Sequence, residues 1–146
     1  MFEVMRRFRR DEGVEAVEFA LVIPVLLMLL AGIVNLGFAY NAATLVTTAA
    51  RDAARAASLG ATSAASIISV ARADMTTLPG SATTPITVAC ARTGGTCDFS
   101  LPTTSANFPL MGDTVTVTIA YVNSWLIPVV LTGSTTITRS SQMRIE

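Results

Sequence analysis

The stretch that decides the fold is FALVIPVLLMLLAGIVNLGFAY, which runs from Phe19 to Tyr40. Within it, only Asn35 and the terminal Tyr40 carry polar side-chain groups. A membrane-crossing helix needs about 20 apolar residues, whereas the apolar part of a secretory signal has only about 7–15. The segment therefore predicts a transmembrane helix, and a long cleavable signal peptide is the less favoured alternative. Pro24 would either kink this helix or mark its first turn.

The charges of this 146-residue chain are few and unevenly placed. Charged residues make up 14% of it, with ten basic and ten acidic residues, and every basic residue is an Arg. Four of the Arg lie within the first ten residues, whereas no charged residue occurs between Phe19 and Ala50. The positive-inside rule then predicts a cytoplasmic N-terminus and places everything after Tyr40 outside. Because the net charge is balanced, nothing indicates a nucleic acid as a partner.

The residue types that most enzymes use are missing. The chain has no His and no Lys, which removes the commonest general base and metal ligand as well as Schiff-base chemistry. The pair Asp113-Thr114 resembles part of an aspartic-protease motif, but Val115 stands where that motif requires Gly. We therefore expect no catalytic residues, no cofactor and no metal, and we expect Asp113 to begin a strand.

Two helices are predicted. The Ala-rich sequence that follows Tyr40 continues the first helix, so that one helix covers residues 14–60 and ends at Gly60. A second helix is predicted from about Ser63 to Leu78, with Ser63 as its N-cap. The apolar face of this second helix consists of Ile67, Ala71, Met75 and Leu78.

The composition then becomes rich in Thr and Pro, which predicts a β-rich region. The clearest strand is 113–122, where apolar residues alternate with Thr as in a half-buried antiparallel strand. The other predicted strands are 85–91, 96–101 and 134–146, with the first two forming a hairpin around the turn RTGG. The apolar segment 124–131 is predicted to cover the core, although Trp125 and Leu126 could instead meet the membrane surface.

Cys90 and Cys97 lie on either side of that turn and are the only two cysteines. Their spacing differs from a C-x-x-C redox motif, and two thiolates without His do not complete a structural zinc site. On the outward side of a membrane we expect a disulfide that closes the hairpin, and two unpaired buried thiols are the alternative.

The most informative motif is RRFRRDEGVEAVEF, residues 6–19. Gly13 is followed five residues later by Glu18, immediately before the apolar span. A Gly-x4-Glu pattern alone is common, but its place between a basic leader and an apolar helix is specific. This motif resembles the processing site of type IV prepilins and pseudopilins, which a membrane-embedded prepilin peptidase cuts after the Gly. The resemblance implies cleavage between Gly13 and Val14, with Glu18 and Phe19 serving recognition and assembly.

A wider resemblance is to TadE-like proteins, minor pseudopilins of the tight-adherence (Flp) type IV pilus system. It rests on the Glu18-Phe19-Ala20 start, Pro24 in the span, the Ala-Ala-Arg-x-Ala-Ala-Arg stretch at 49–55, and the closing strands after Gly112. Glu15 is an additional acid, and Phe19 replaces the Tyr of the major Flp pilin. Both departures, like the length of the chain, favour a minor component.

The resemblance implies an α+β, membrane-anchored, pilin-like fold. Its parts are a basic leader at 1–13, a long N-terminal helix at 14–60 with the span at about 19–40, and an extracytoplasmic α/β domain at 61–146. The implied location is the bacterial inner membrane, with a single pass, a periplasmic C-terminal domain and the option of incorporation into the pilus.

The partners that the resemblance implies are the prepilin peptidase, other minor pseudopilins, the platform and secretion machinery, and in some settings the major Flp pilin. By similarity to type IV pilins, the new amine of Val14 neutralises Glu18 of an adjacent subunit. In the alternative, Glu18 stays solvated at the lipid interface. The alternative function is an uncleaved, signal-anchored binding or adhesion module in the periplasm.

Overall fold

The computed structural model describes residues 2–60, 62–125 and 133–146, and it describes side chains from Gly13 onward. Within these residues the chain forms two α-helices followed by a three-stranded antiparallel sheet. The elements are α1 (Phe2–Ser58), α2 (Ala64–Asp74), β1 (Ile86–Ala91), β2 (Thr114–Ser124) and β3 (Ser134–Arg144). The predicted fold class is confirmed, because a long N-terminal helix precedes a second helix and a small antiparallel sheet.

Helix α1 begins at Phe2, well before the predicted start at residue 14. No Pro precedes Pro24, and a single internal Gly such as Gly13 costs only about 1 kcal/mol relative to Ala, too little to end a helix by itself. Pro24 lies well inside α1, so it does not mark a first turn. At the other end, Gly60 takes a left-handed φ of 96°, which suits the residue that follows a helix.

The chain divides into two compact units, which are described separately. The first contains α1 as far as Phe38, together with Trp125 and Gly133. Nearly all of its large apolar side chains are exposed, whereas Ala31 and Asn35 are buried. The second unit consists of Ala39–Ser124 and Ser134–Glu146 and contains the hydrophobic core.

The core of the second unit is built where three apolar surfaces meet. Small residues of α1 contribute one surface, and every third or fourth position is buried because that spacing returns to the same helix face. The buried residues of α1 in this unit are Ala42, Val46, Ala49, Ala50, Ala53, Ala54, Ala57 and Ser58. Ile67 and Ala71 of α2 and alternate residues of β2 complete the core.

Strand β2 is the centre of the sheet, and the sheet order is β1-β2-β3. Val115, Val117 and Ile119 are fully buried, as the alternating sequence pattern predicted. Tyr121 continues this face and donates a hydrogen bond from its hydroxyl to the carbonyl oxygen of Pro79, at 3.0 Å. The opposite face carries Thr114, Thr116 and Thr118, which are half-buried.

The predicted strand 96–101 is wrong, and so is its hairpin with 85–91. The RTGG turn does form and is closed by a bridge between Arg92 and Gly95, but β1 pairs with β2 instead. The Asp98 carboxylate accepts a hydrogen bond from the backbone N–H of Ser100 at 2.7 Å. This Asx-type turn and the following Pro102 prevent an extended strand.

Helix α2 ends at Asp74, four residues before the predicted end, yet its predicted face is correct. Ser63 is the N-cap and accepts a hydrogen bond from the backbone N–H of Ser66 at 3.2 Å. After the helix, Met75 and Leu78 remain buried in a turn in which the Leu78 N–H donates to the Met75 carbonyl oxygen. The segment predicted to cover the core, 124–131, lies mostly outside the described residues, although Trp125 is half-buried.

Candidate functional site

The predicted cleavage segment lies on a fully exposed stretch of α1. Gly13, Val14, Glu18 and Phe19 are all exposed, with Val14 at 68% and Phe19 at 70% of the maximal accessible area. The side chains of the basic leader before Gly13 lie outside the described residues. The helix therefore presents this segment for contact with another molecule.

Helix geometry places Val14 and Glu18 on one face of α1. They are four residues apart, so one turn separates them and the rise between them is about 6 Å at ~1.5 Å per residue. Cleavage after Gly13 would turn the backbone nitrogen of Val14 into a positive amine on the same face as the Glu18 carboxylate. Chemically, the segment could then offer one cationic group and two carboxylates, those of Glu15 and Glu18, at the edge of an apolar span.

The predicted span, Phe19 to Tyr40, is helical throughout. Helix α1 from Gly13 to Ser58 is long and apolar enough to cross a membrane. Leu21 and Leu29 are 72% and 61% exposed, values that would be costly for leucines in water. In contrast, Asn35 is 1% exposed, so the amide in the span is withdrawn from the surface.

Beyond the span, Arg51, Asp52 and Arg55 occupy the exposed side of α1, opposite the buried alanines. Exposed charged residues on one helix face are solvated, and the same side chains are accessible to another protein.

The predicted disulfide between Cys90 and Cys97 is confirmed. The Cα atoms are 5.5 Å apart, which lies in the ordinary range for a disulfide. Cys90 lies on β1 opposite Val115 of β2, and Cys97 follows the turn that β1 enters. The disulfide thus links the end of β1 to the start of the long connection between β1 and β2.

A second link in this connection, the ion pair between Arg92 and Asp113, was not predicted from the sequence. Arg92 donates from Nη2 to Oδ2 of Asp113 at 2.7 Å, and from Nε to Oδ1 at 3.0 Å. The same guanidinium also donates to the carbonyl oxygens of Ala106 and Phe108. The Arg92 side chain therefore fixes the end of the loop that connects β1 with β2.

The Asp113 carboxylate has a further hydrogen bond beside those from Arg92. Its carboxylate also accepts the backbone N–H of Leu110 at 2.8 Å, and the residue is only 5% exposed. The hydrogen bonds from Arg92 lower the pKa of Asp113, with the Leu110 N–H acting in the same direction and burial opposing them. The same hydrogen bonds raise the pKa of Arg92. A spacing of 21 residues gives no periodic signal, so only the turn residue Gly112 hinted at the place of Asp113.

Two sulfurs and one carboxylate in this region are close enough to hold a metal ion. The Sγ atoms of Cys90 and Cys97 and a carboxylate oxygen of Asp113 lie within 4.8 Å of one another. However, the sulfurs are joined in the disulfide, and Arg92 occupies the carboxylate. The arrangement in this structure is therefore a structural link between loop and sheet.

Two acidic residues, Asp52 on α1 and Asp74 on α2, interact electrostatically. The carboxylate of Asp74, the last residue of α2, has a buried Oδ2 atom without a hydrogen-bond partner among the described residues. Burial, and secondly the charge of Asp52, raises the pKa of Asp74. A raised pKa means that the structure favours the protonated form of Asp74 over its ionised form.

The comparisons with known proteins concern the N-terminal part of the chain. Residues 13–55 match the family model described as TadE-like protein. No curated protein and no solved structure matches the chain. The matched segment begins at the predicted cleavage glycine and ends at Arg55, so it contains the span and the Ala-rich part of α1. The resemblance of the closing strands lies outside it and stays a prediction. Over residues 13–55 the chain is similar to the TadE-like family, as the sequence motifs predicted.

Proposed function

We propose that this protein is a minor pseudopilin of the tight-adherence (Flp) type IV pilus system and acts in assembly of the pilus, with no enzymatic activity of its own. The match of residues 13–55 to the TadE-like family is the observation that carries this proposal, and it supports a role associated with the Tad pilus. The exposed apolar helix α1 supports anchoring in the inner membrane. The basic leader would stay in the cytoplasm, and the second unit would lie in the periplasm.

In this proposal, prepilin peptidase cuts between Gly13 and Val14. The exposure of both residues and of Glu18 supports access by a membrane-embedded peptidase. The product would contain residues 14–146, and its first residue would carry a new positive amine. The leader that carries four of the ten Arg would be removed.

The new amine supplies a partner for Glu18. A carboxylate at the edge of an apolar span is costly to bury without a counter-charge, so two subunits that pack side by side are stabilised when the amine of Val14 in one meets Glu18 of the other. The other partners would be further minor pseudopilins, the platform and secretion machinery and, if the protein enters the fibre, the major Flp pilin.

The test is the intact mass of the full-length chain purified from membranes of cells with and without an active prepilin peptidase. We expect the mass of residues 14–146 only when the peptidase is active. Gly13→Leu should keep the full-length mass, because a bulky residue then replaces the glycine at the cut. The matched control Gly32→Leu places the same substitution in the span and should still be processed.

A full-length mass despite an active peptidase would contradict the proposal and favour the alternative, an uncleaved signal-anchored binding module. Glu18→Gln separates processing from assembly. We expect this variant to be cut at Gly13 but to lose crosslinks between neighbouring copies or partners near the membrane edge. Unchanged crosslinking in Glu18→Gln would show that the Val14 amine does not need this carboxylate.

A further inference from the structure

We infer that the free edge of β3 binds an extended, acid-bearing segment of a partner protein by strand addition. In this mode the partner segment forms a fourth strand, and main-chain hydrogen bonds hold it beside β3. The inference concerns the second unit and does not depend on cleavage at Gly13. It assigns a contact surface to the part of the chain outside the TadE-like match.

The direction of the backbone groups in β2 identifies the free edge. The N–H of Ala120 donates to the carbonyl oxygen of Pro85 at 3.1 Å, on the side of β1. Hydrogen-bonding directions alternate along a strand, so Ile119 and the other odd-numbered residues of β2 face β3. Ile119 pairs with Arg139, and therefore the odd-numbered residues of β3 face β2. The backbone N–H and C=O groups that face away from the sheet belong to Thr136, Thr138, Ser140 and Gln142.

One side-chain contact agrees with this assignment. Nη1 of Arg139 donates to the carbonyl oxygen of its own neighbour Thr138 at 3.0 Å. That oxygen is one of those assigned to the free edge, and a guanidinium satisfies it where the sheet supplies no further strand. An incoming strand could replace the guanidinium with a backbone N–H.

The shape of β3 suits strand addition. All eleven residues from Ser134 to Arg144 pair with β2 in one continuous register. The strand contains no Pro, and its register with β2 contains no bulge. Pro residues and bulges are two of the devices by which proteins block an exposed edge, and charged side chains are a third. Within the part of the chain that the structure describes, the edge of β3 is therefore long, regular and open.

The charged residues of the three strands indicate which kind of partner segment would bind. In β1, β2 and β3 together the charged residues are Arg139 and Arg144, both on β3, and no acidic residue lies in any of the three strands. Both Arg side chains are exposed. An incoming strand with Glu or Asp opposite these two positions would form favourable cross-strand pairs.

The same charges oppose pairing with a second copy of the chain. A symmetric antiparallel pairing centred on β3 brings Arg139 opposite, or next to, Arg139 of the other copy. Like charges directly opposite one another are destabilising across strands. An exposed Arg at the edge thus discourages self-association and favours a partner strand that carries carboxylates.

The test uses the full chain in detergent micelles and a capped peptide of alternating Val and Thr. The peptide has Glu at the two positions that pair with Arg139 and Arg144, and a matched peptide has Lys there. We expect the Glu peptide to slow amide exchange at Thr136, Thr138, Ser140 and Gln142, while the odd-numbered amides of β3 keep their rates. The Lys peptide should bind about ten-fold more weakly.

Two substitutions in the chain sharpen this test. Thr138→Pro removes an outward donor without removing a bond to β2, so it should abolish peptide binding, whereas Thr138→Val keeps the N–H and should bind normally. Arg139→Gln should weaken binding of the Glu peptide and leave the sheet intact. If Thr138→Pro disturbs the fold, Arg139→Gln and the alternating exchange pattern still decide the matter.

Three results would overturn the inference. The first is equal binding of the Glu and Lys peptides, and the second is peptide binding without protection of the outward amides. The third is protection of these amides that grows with protein concentration in the absence of peptide, since a second copy would then occupy the edge.

Discussion

The two parts of α1 show one helix in two environments. From Val14 to Phe38 the helix carries large apolar side chains, and most of them are exposed. From Ala42 to Ala57 half of its residues are alanines, and those on one face are fully buried. Leucines on the surface are what a helix able to cross a membrane would present to lipid. Buried alanines indicate that the second part packs closely against a protein core, because a small side chain allows close approach.

The largest difference between the two parts should appear when a side chain is shortened. Ile119 is fully buried in the core of the second unit, so Ile119→Ala should lower its free energy of unfolding by about 2–5 kcal/mol. Leu29→Ala shortens a side chain that is 61% exposed in the span and should change that free energy by less than about 0.5 kcal/mol. Urea unfolding of the full chain in detergent, followed by the loss of amide-exchange protection in β2, measures both. Equal losses would show that the span contributes to the stability of the second unit.

An added charge should also distinguish the two parts of α1, through its effect on membrane insertion. Leu29→Arg should raise the cost of membrane insertion by about 2.5–3.5 kcal/mol, because Arg is expensive at the centre of a spanning helix. Thr48→Arg introduces the same charge on an exposed position of the second part of α1 and should leave insertion unchanged. The fraction of protein that stays with membranes after alkaline extraction reports the effect. If Leu29→Arg remained fully membrane-bound, residues 19–40 would not be the span.

These two parts also differ in how well the sequence predicted them. The apolar span and the continuation of α1 through its Ala-rich part were predictable, because hydropathy and helical period are local patterns. The alternating faces of β2 were predictable for the same reason. The partner of β1 was not, because pairing between residues as distant as Cys90 and Val115 leaves no local pattern, and the nearer segment 96–101 was a wrong choice.

For the candidate sites too, local sequence patterns were predictable and contacts between distant residues were not. Gly13 and Glu18 were recognisable, because their motif is contiguous and the span follows it. The disulfide was predictable from the cysteine count together with the predicted outward location. The Arg92–Asp113 pair was missed, since its two residues meet only once the loop has folded. The acid pair of Asp52 and Asp74 was missed for the same reason.

Removal of the disulfide should affect only the second unit. Replacing both Cys90 and Cys97 by Ser should lower its free energy of unfolding by about 2–3 kcal/mol, as expected for a short closed loop. The Arg92–Asp113 pair still holds the loop, so the variant should fold at neutral pH. Membrane extraction of the variant should match the wild type. An unfolding midpoint equal to that of the wild type would show that Arg92 alone is sufficient to fix the loop.

The smallest expected effect is the dependence of stability on pH. The span should show no such dependence, because no charged residue lies between Phe19 and Ala50. In the second unit, the lowered pKa of Asp113 provides stability that is present above the pKa of the unfolded chain and is lost as the pH falls through the folded pKa. The raised pKa of Asp74 acts in the opposite direction, because its penalty appears as the pH rises through the folded pKa.

Two substitutions separate these opposite contributions. Asp113→Asn should flatten the acid side of the stability profile, whereas Asp74→Asn should stabilise the second unit at pH 7 by less than about 1 kcal/mol. Urea midpoints measured from pH 3 to pH 8 give both profiles. Because Asn retains the size of Asp, a gain in Asp74→Asn comes from the removed charge. A lower urea midpoint of Asp74→Asn at pH 7 would mean that the ionised carboxylate of Asp74 has a favourable partner in the folded protein.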